Sequence, residues 1–143
     1  MTGCGLSRKE LVIPDPPFTG SEATKGAVYI EAVNDNRDFT SATSDNSLPS
    51  LDKDIVEASK EEISTIVGRQ SNAYGIRLGN LTLPKGENVP MKMRTLVERS
   101  FMQAGYEISN DPASPNKATI SVTDFWGWHR ERPLTLAQGL VRR

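Results

Sequence analysis

The sequence holds one cysteine and one histidine, and its charges nearly cancel. It also lacks any run of about 18 apolar residues. Each shortage excludes something. A single thiol closes no internal disulfide, so the fold stands without one. A lone histidine with no cysteine beside it makes no tetrahedral zinc site, and no carboxylate spacing resembles a cation loop, so no metal and no cofactor are expected. Seventeen Lys and Arg against eighteen Asp and Glu leave a formal charge of −1, so no chain-wide field draws in nucleic acid or an anionic membrane. The missing apolar run excludes a transmembrane helix within the chain as given.

Catalytic signatures are missing as well. No G-x-S-x-G presents a serine. The glycines between Gly68 and Asn80 form neither a P-loop nor a G-x-G-x-x-G turn. The Glu61–Glu62 pair sits in a polar stretch and reads as a solvated face. His129, after a W-G-W cluster, reads as a surface residue. No enzyme is expected.

What is present is one small domain with a tail: 143 residues with a mean hydropathy of −0.45, polar enough that part of the chain is expected to stay unpacked. Residues 1–26 carry Pro14, Pro16 and Pro17 with Gly20 and Gly26 and read as a semi-extended, flexible tether. Alternation then marks a short strand with Val28, Ile30 and Ala32 on one face and Tyr29, Glu31 and Val33 on the other. Residues 40–51 are a polar loop. Between 52 and 70, Ile55, Ser59, Ile63, Ile66 and Val67 follow a thin helical period, giving a marginal helix or a partly ordered excursion. A second strand covers Ile76, Leu78, Leu81 and Leu83, with Gly79 marking a bulge.

The clearest element is a helix over about 89–104. Asn88 caps it, Pro90 suits its first turn, and Gly105 fits the left-handed position past its end. Val89, Met93, Leu96, Val97, Phe101 and Ala104 form its apolar stripe. A short strand at 106–108 and another with Ala118, Ile120 and Val122 inward follow, the second bulging or ending near Asp124, where Phe125 breaks the parity. The whole reads as α+β, a small, mostly antiparallel sheet with one main packed helix and long polar loops. The domain spans 27–128, and 129–143 is a basic tail interrupted by Pro133.

Two stretches carry candidate chemistry. Met1-Thr2-Gly3-Cys4 resembles a bacterial lipobox, in which small residues precede the cysteine that receives the lipid; Met1 departs from the usual Leu. No basic and apolar leader precedes it, so Met1 is expected to be an internal start within a longer gene product. Asp124–Pro133 holds Phe125, Trp126 and Trp128 beside Arg130. Three readings stand open. These residues cover the open edge of a small core, or stack on a base or sugar, or anchor a protein partner, since Trp and Arg are common hot-spot residues.

Further residues add a resemblance. A tethering Cys4, a V-x-I first strand with Asp35-Asn36-Arg37 after it, Gly68-Arg69-Gln70-Ser71-Asn72-Ala73-Tyr74-Gly75, a helix ending in Ala104-Gly105-Tyr106, and an I-x-V strand together resemble the YajG-like uncharacterised lipoproteins of Gram-negative bacteria. The likeness spans roughly residues 4–128. It implies a signal peptide, acyl chains such as palmitate on Cys4, and residence at the periplasmic face of the outer membrane. Gly5, where an Asp would imply inner-membrane retention, fits the outer membrane. It also implies further strands after Trp128, where this chain turns polar and basic. The leading expectation is a non-enzymatic, lipid-anchored envelope protein that meets the membrane through Cys4 and an envelope protein through Phe125, Trp126, Trp128 and Arg130, with no nucleic acid as partner. The alternative is a cytosolic ligand- or nucleic-acid-binding module built on Trp126, Trp128 and Arg130.

Overall fold

The computed structural model describes residues 8–20 and 22–131. Its elements are β1 (Lys9–Glu10), β2 (Ala27–Asp35), α1 (Lys60–Thr65), β3 (Ile66–Ser71), β4 (Arg77–Thr82), α2 (Val89–Gln103), β5 (Glu107–Ser109), β6 (Lys117–Val122) and β7 (Gly127–Arg130). One sheet runs β1-β4-β3-β7 and the other β5-β2-β6. This is a small α+β fold with one main helix, as expected. Strand direction differs. Only β3–β4 is antiparallel; β1–β4, β3–β7, β2–β5 and β2–β6 are parallel. Alternation marks a strand and its buried face but carries no record of direction, which long crossovers decide here.

The helix α2 forms for the reasons its sequence gives. Asn88 Oδ1 accepts the Met91 amide at 2.9 Å, Pro90 occupies the first turn, and Gly105 takes φ +97° just past the end. Its inward stripe is narrower than its spacing implies. Val89 is fully buried and Met93 packs on the core, whereas Leu96 is 39% exposed and Ala104 faces solvent. The remaining cover over that region comes from the N-terminal segment.

A bulge between Ile30 and Ala32 shifts the register of β2 against β6. The shift reverses the side-chain parity, so Val33 rather than Ala32 packs on the core. Arg94 reaches the carbonyl of Ile30 at this bulge, at 3.3 Å. The core itself collects Val67, Leu81, Leu83, Val89 and Val122 from both sheets and the helix, with Ile13, Met93 and Phe125 against it. Each such buried aliphatic contributes about 1.5–3 kcal/mol relative to an exposed one.

The expected marginal helix over 52–70 resolves into three pieces. A 3-10 turn spans Ile55–Glu57. Ser59 then caps α1 by accepting the Glu62 amide at 3.1 Å, and β3 begins at Ile66 with no residue between. Strand β3 is buried on both faces. Val67 points to the apolar core, while Arg69 and Ser71 lie beneath the 40–52 loop together with Asn80 of β4. Asn80 Oδ1 accepts the Asp52 amide at 2.7 Å, and its Nδ2 donates to the carbonyls of Ser50 and Gly68 at 2.8 and 3.1 Å. That loop is therefore a polar lid rather than loose chain.

The N-terminal segment is extended but not a loose tether. β1 pairs with β4, and the Leu11 amide donates to Thr82 O at 2.7 Å. Arg8 grips Asp52 with two bonds, of 2.8 and 2.7 Å, and Glu62 at 2.7 Å. Lys53 also reaches Glu62 at 2.8 Å. The Arg8 bonds hold the Asp52 carboxyl below its ordinary pKa, and Lys53 with Arg8 does the same to Glu62. Further along, Lys92 Nζ donates to Ile13 O at 2.8 Å, Arg99 donates to Pro16 O, and the amides of Thr24 and Lys25 both donate to Gly105 O at 2.9 Å. Prolines forbid a helix here yet leave carbonyls free for the basic face of α2 to collect. Residues 8–20 and 22–25 are thus a strap, and the flexible tether expected over 1–26 is corrected for these parts.

Candidate partner-binding edge

Strand β7 places the Asp124–Arg130 stretch. It lies parallel to β3 with Gly68 opposite Gly127, Arg69 opposite Trp128 and Gln70 opposite His129. The approach depends on Gly68, because a Cβ there would sit 2.3 Å from the Gly127 carbonyl oxygen. The Glu131 amide extends the pairing to Ser71 O at 2.9 Å. The folded body therefore continues past the expected boundary at 128. His129 and Arg130 belong to the sheet with Glu131 bonded to its end, and the rest of the expected basic tail lies outside the described residues, as does Cys4.

The four residues expected to bind a partner take separate roles. Phe125 packs on the apolar core, and its carbonyl accepts from Arg37 Nη1 at 2.9 Å. Trp126 is half-buried, donates Nε1–H to Asn46 O at 2.9 Å, and meets Phe39 edge-to-face at 5.9 Å. Arg130 donates to Ala73 O through Nε at 3.3 Å and Nη2 at 2.9 Å, tying β7 to the turn after β3. Trp128 is 58% exposed and is the one exposed aromatic of the four. Phe125 thus packs on the core, Trp126 is held by Asn46 and Phe39 beside it, and the four form no single stacking platform.

Behind Phe125 stands Arg37, which the sequence marks only as a turn residue. Its Nε and Nη2 donate to both carboxylate oxygens of Asp35 at 2.7 Å, and its remaining donors reach the carbonyls of Ile66, Phe125 and Ile63 at 2.8, 2.9 and 3.1 Å. Its guanidinium also lies over the Phe39 ring, 4.9 Å from the centroid. One buried side chain joins the end of β2 to the start of β3 and the approach to β7.

Beside Trp128 lies a groove of about 410 Å³, lined by Leu11 of the strap, Leu81, Gln70, Gly127 and His129, with Lys9 and Glu10 at its rim. This volume falls at the small end of ligand-binding clefts. Among the described residues nothing stands over Gly127 where a side chain would be, so the floor of the groove there is bare backbone. Leu11 and Gln70 were invisible as site residues. Leu11 sits in a stretch with no period, and Gln70 sits in a strand that spacing disguises as helix. A second, more open depression of about 570 Å³ lies between Asn34–Arg37 and α1, but its guanidinium is already committed to Asp35.

Among the described residues no three metal-capable side chains cluster, and no helix is long and apolar enough to cross a membrane. No family model, no curated protein and no solved structure matches the chain. The likeness to the YajG-like lipoproteins accordingly rests on the residue patterns already quoted.

Proposed function

We propose that this chain is a non-enzymatic envelope protein, lipid-anchored through Cys4 at the periplasmic face of the outer membrane of a Gram-negative bacterium, and that its α+β body holds an envelope partner at the Trp128 groove. The observation that carries the reading is the Thr2-Gly3-Cys4 sequence immediately ahead of a strap that binds the body. Acyl chains on that sulfur contribute about 0.8 kcal/mol for each buried methylene, so two or more hold a small domain on a bilayer stably. The groove supports a binding role, because it offers one exposed indole, a bare glycine floor and a mixed polar rim. A base-stacking role is less well supported, since Trp126 and Arg130 already hold bonds within the fold.

The test is expression in a Gram-negative host behind a lipoprotein leader, with an alkynyl fatty acid in the medium. Labelled protein that fractionates with the outer membrane, and loses both label and membrane association in Cys4→Ser, is the expected result. An unlabelled wild-type protein sinks the anchor.

A further inference from the structure

The fold buries two arginines in opposite ways. Arg37 has a carboxylate on its fork and carbonyls on its other donors. Arg69, 1% exposed, reaches among the described residues two carbonyls, of Leu51 at 3.0 Å and Thr43 at 3.4 Å, and its buried Nε–H has no partner among them. Arg77, on the adjacent strand, has a buried Nη1 that is likewise unpartnered. Neither guanidinium forms an ion pair among the described residues. The nearby Asp52 carboxylate is taken at both oxygens by Arg8.

The register brings these donors together. Arg77 lies opposite Ser71, and Ser71 is two residues on from Arg69, beneath the same loop. Ser71 Oγ accepts from Asn46 Nδ2 at 3.4 Å, which leaves its own O–H free to donate. Burial first and then the charge of Arg77 push the Arg69 guanidinium below the ordinary arginine pKa, against a smaller opposing pull from the Asp52 carboxylate, yet arginine stays charged in proteins. Two like charges therefore stand on adjacent strands, Arg69 beneath the loop and Arg77 half-buried, and neither has an ion-pair partner among the described residues. Buried charge without a partner is strongly unfavourable. Guanidinium forks match oxygen acceptors better than a spherical halide.

We propose that Arg69 Nε, Arg77 Nη1 and the Ser71 hydroxyl form a binding site for one phosphate-class oxyanion, seated under the 43–51 loop and entered from the side of Arg77, which is half-buried. The site stands independently of the Cys4 anchor and of the Trp128 groove. Its bland competitor is a water molecule linking Arg77 to the unpartnered Asn46 Oδ1.

The experiment is thermal unfolding of the full chain against inorganic phosphate and against glycerol phosphate, each with sodium chloride at matched ionic strength. The expected result is a saturable rise of about 5 °C over chloride. A rise with the free ion alone indicates an inorganic source, and a rise with both indicates the phosphate end of a larger ligand. Arg77→Gln, at a half-buried position, is expected to fold with unchanged circular dichroism and to abolish the rise. Arg77→Lys keeps the charge but loses the fork, so it retains part of the rise, and it serves as the second variant should Arg77→Gln misfold. No rise above chloride, an equal rise in Arg77→Gln, or a phosphate-grown crystal with only water between the arginines overturns the site.

Discussion

Asp35 and Arg37, two residues apart at the end of β2, form a two-pronged ion pair with both bonds at 2.7 Å. The Arg37 side chain is 1% exposed and that of Asp35 12%. The pair holds the start of β3 and the approach to β7 to the end of β2, so its loss is felt across the domain.

Replacing Arg37 by Met leaves the Asp35 carboxylate without its partner and three carbonyls without donors. The expected loss is about 3 kcal/mol or more, as for other buried pairs broken on one side. Urea unfolding followed by circular dichroism measures it; a loss below 1 kcal/mol rejects the structural role of the pair.

Gly68 is the second point of failure. A methyl group there meets main-chain oxygen at 2.3 Å, and backbone on an adjacent strand cannot swing away as a side chain can. Gly68→Ala is expected to cost at least about 1–3 kcal/mol and to release β7 from the sheet. Faster amide exchange across 127–131 would show the release, while Gly127→Ala, with open space above it, leaves exchange there unchanged.

The two tryptophans should separate cleanly. Trp126→Phe removes the bond to Asn46 O and costs about 1 kcal/mol. Trp128→Ala changes stability by no more than about 0.5 kcal/mol but removes whatever binding the groove provides. Chemical denaturation of both variants, paired with partner capture from envelope extracts, is the measurement. Equal stability losses would contradict the division of roles.

Acid should loosen the strap before it unfolds the body. Asp52 and Glu62 have folded pKa values below their free ones, so the folded state binds fewer protons than the unfolded state over that interval. Their contribution is complete above the ordinary carboxylate range near pH 4 and fades as pH falls through the lower folded values. Part of this ion-pair cluster reaches solvent, so its contribution is about 1 kcal/mol or less. Arg8→Gln is expected to flatten the dependence of stability on pH below 5. An unaltered slope would show that Arg8 does not carry it.

Much of the fold was legible where local signals act alone. The cap at Asn88, the proline after it and Gly105 define α2, and alternation locates β2, β4 and β6. Gly79 does mark an irregular register, between the Gln70–Gly79 and Ser71–Arg77 pairs. What escaped was settled at long range. β3 shows no polar alternation because a loop buries its Arg69 face, so its apolar spacing imitates a helix. The strap has no period because main-chain carbonyls bind it to α2, and these look alike in every sequence. The aromatic residues of 125–128 were visible as a cluster, but their division into core ties and one exposed indole depends on Phe39 and Asn46, some 80 residues away.

The strap also changes what anchoring at Cys4 would mean. With Arg8 clasped to the body, only three residues lie between it and Cys4, a reach of at most about 14 Å, whereas an unattached run to Ala27 would stretch to nearly 80 Å. A domain moored that tightly has little freedom to roam. It would keep its β1 margin turned toward the lipid headgroups, and any partner would have to come to it at the surface.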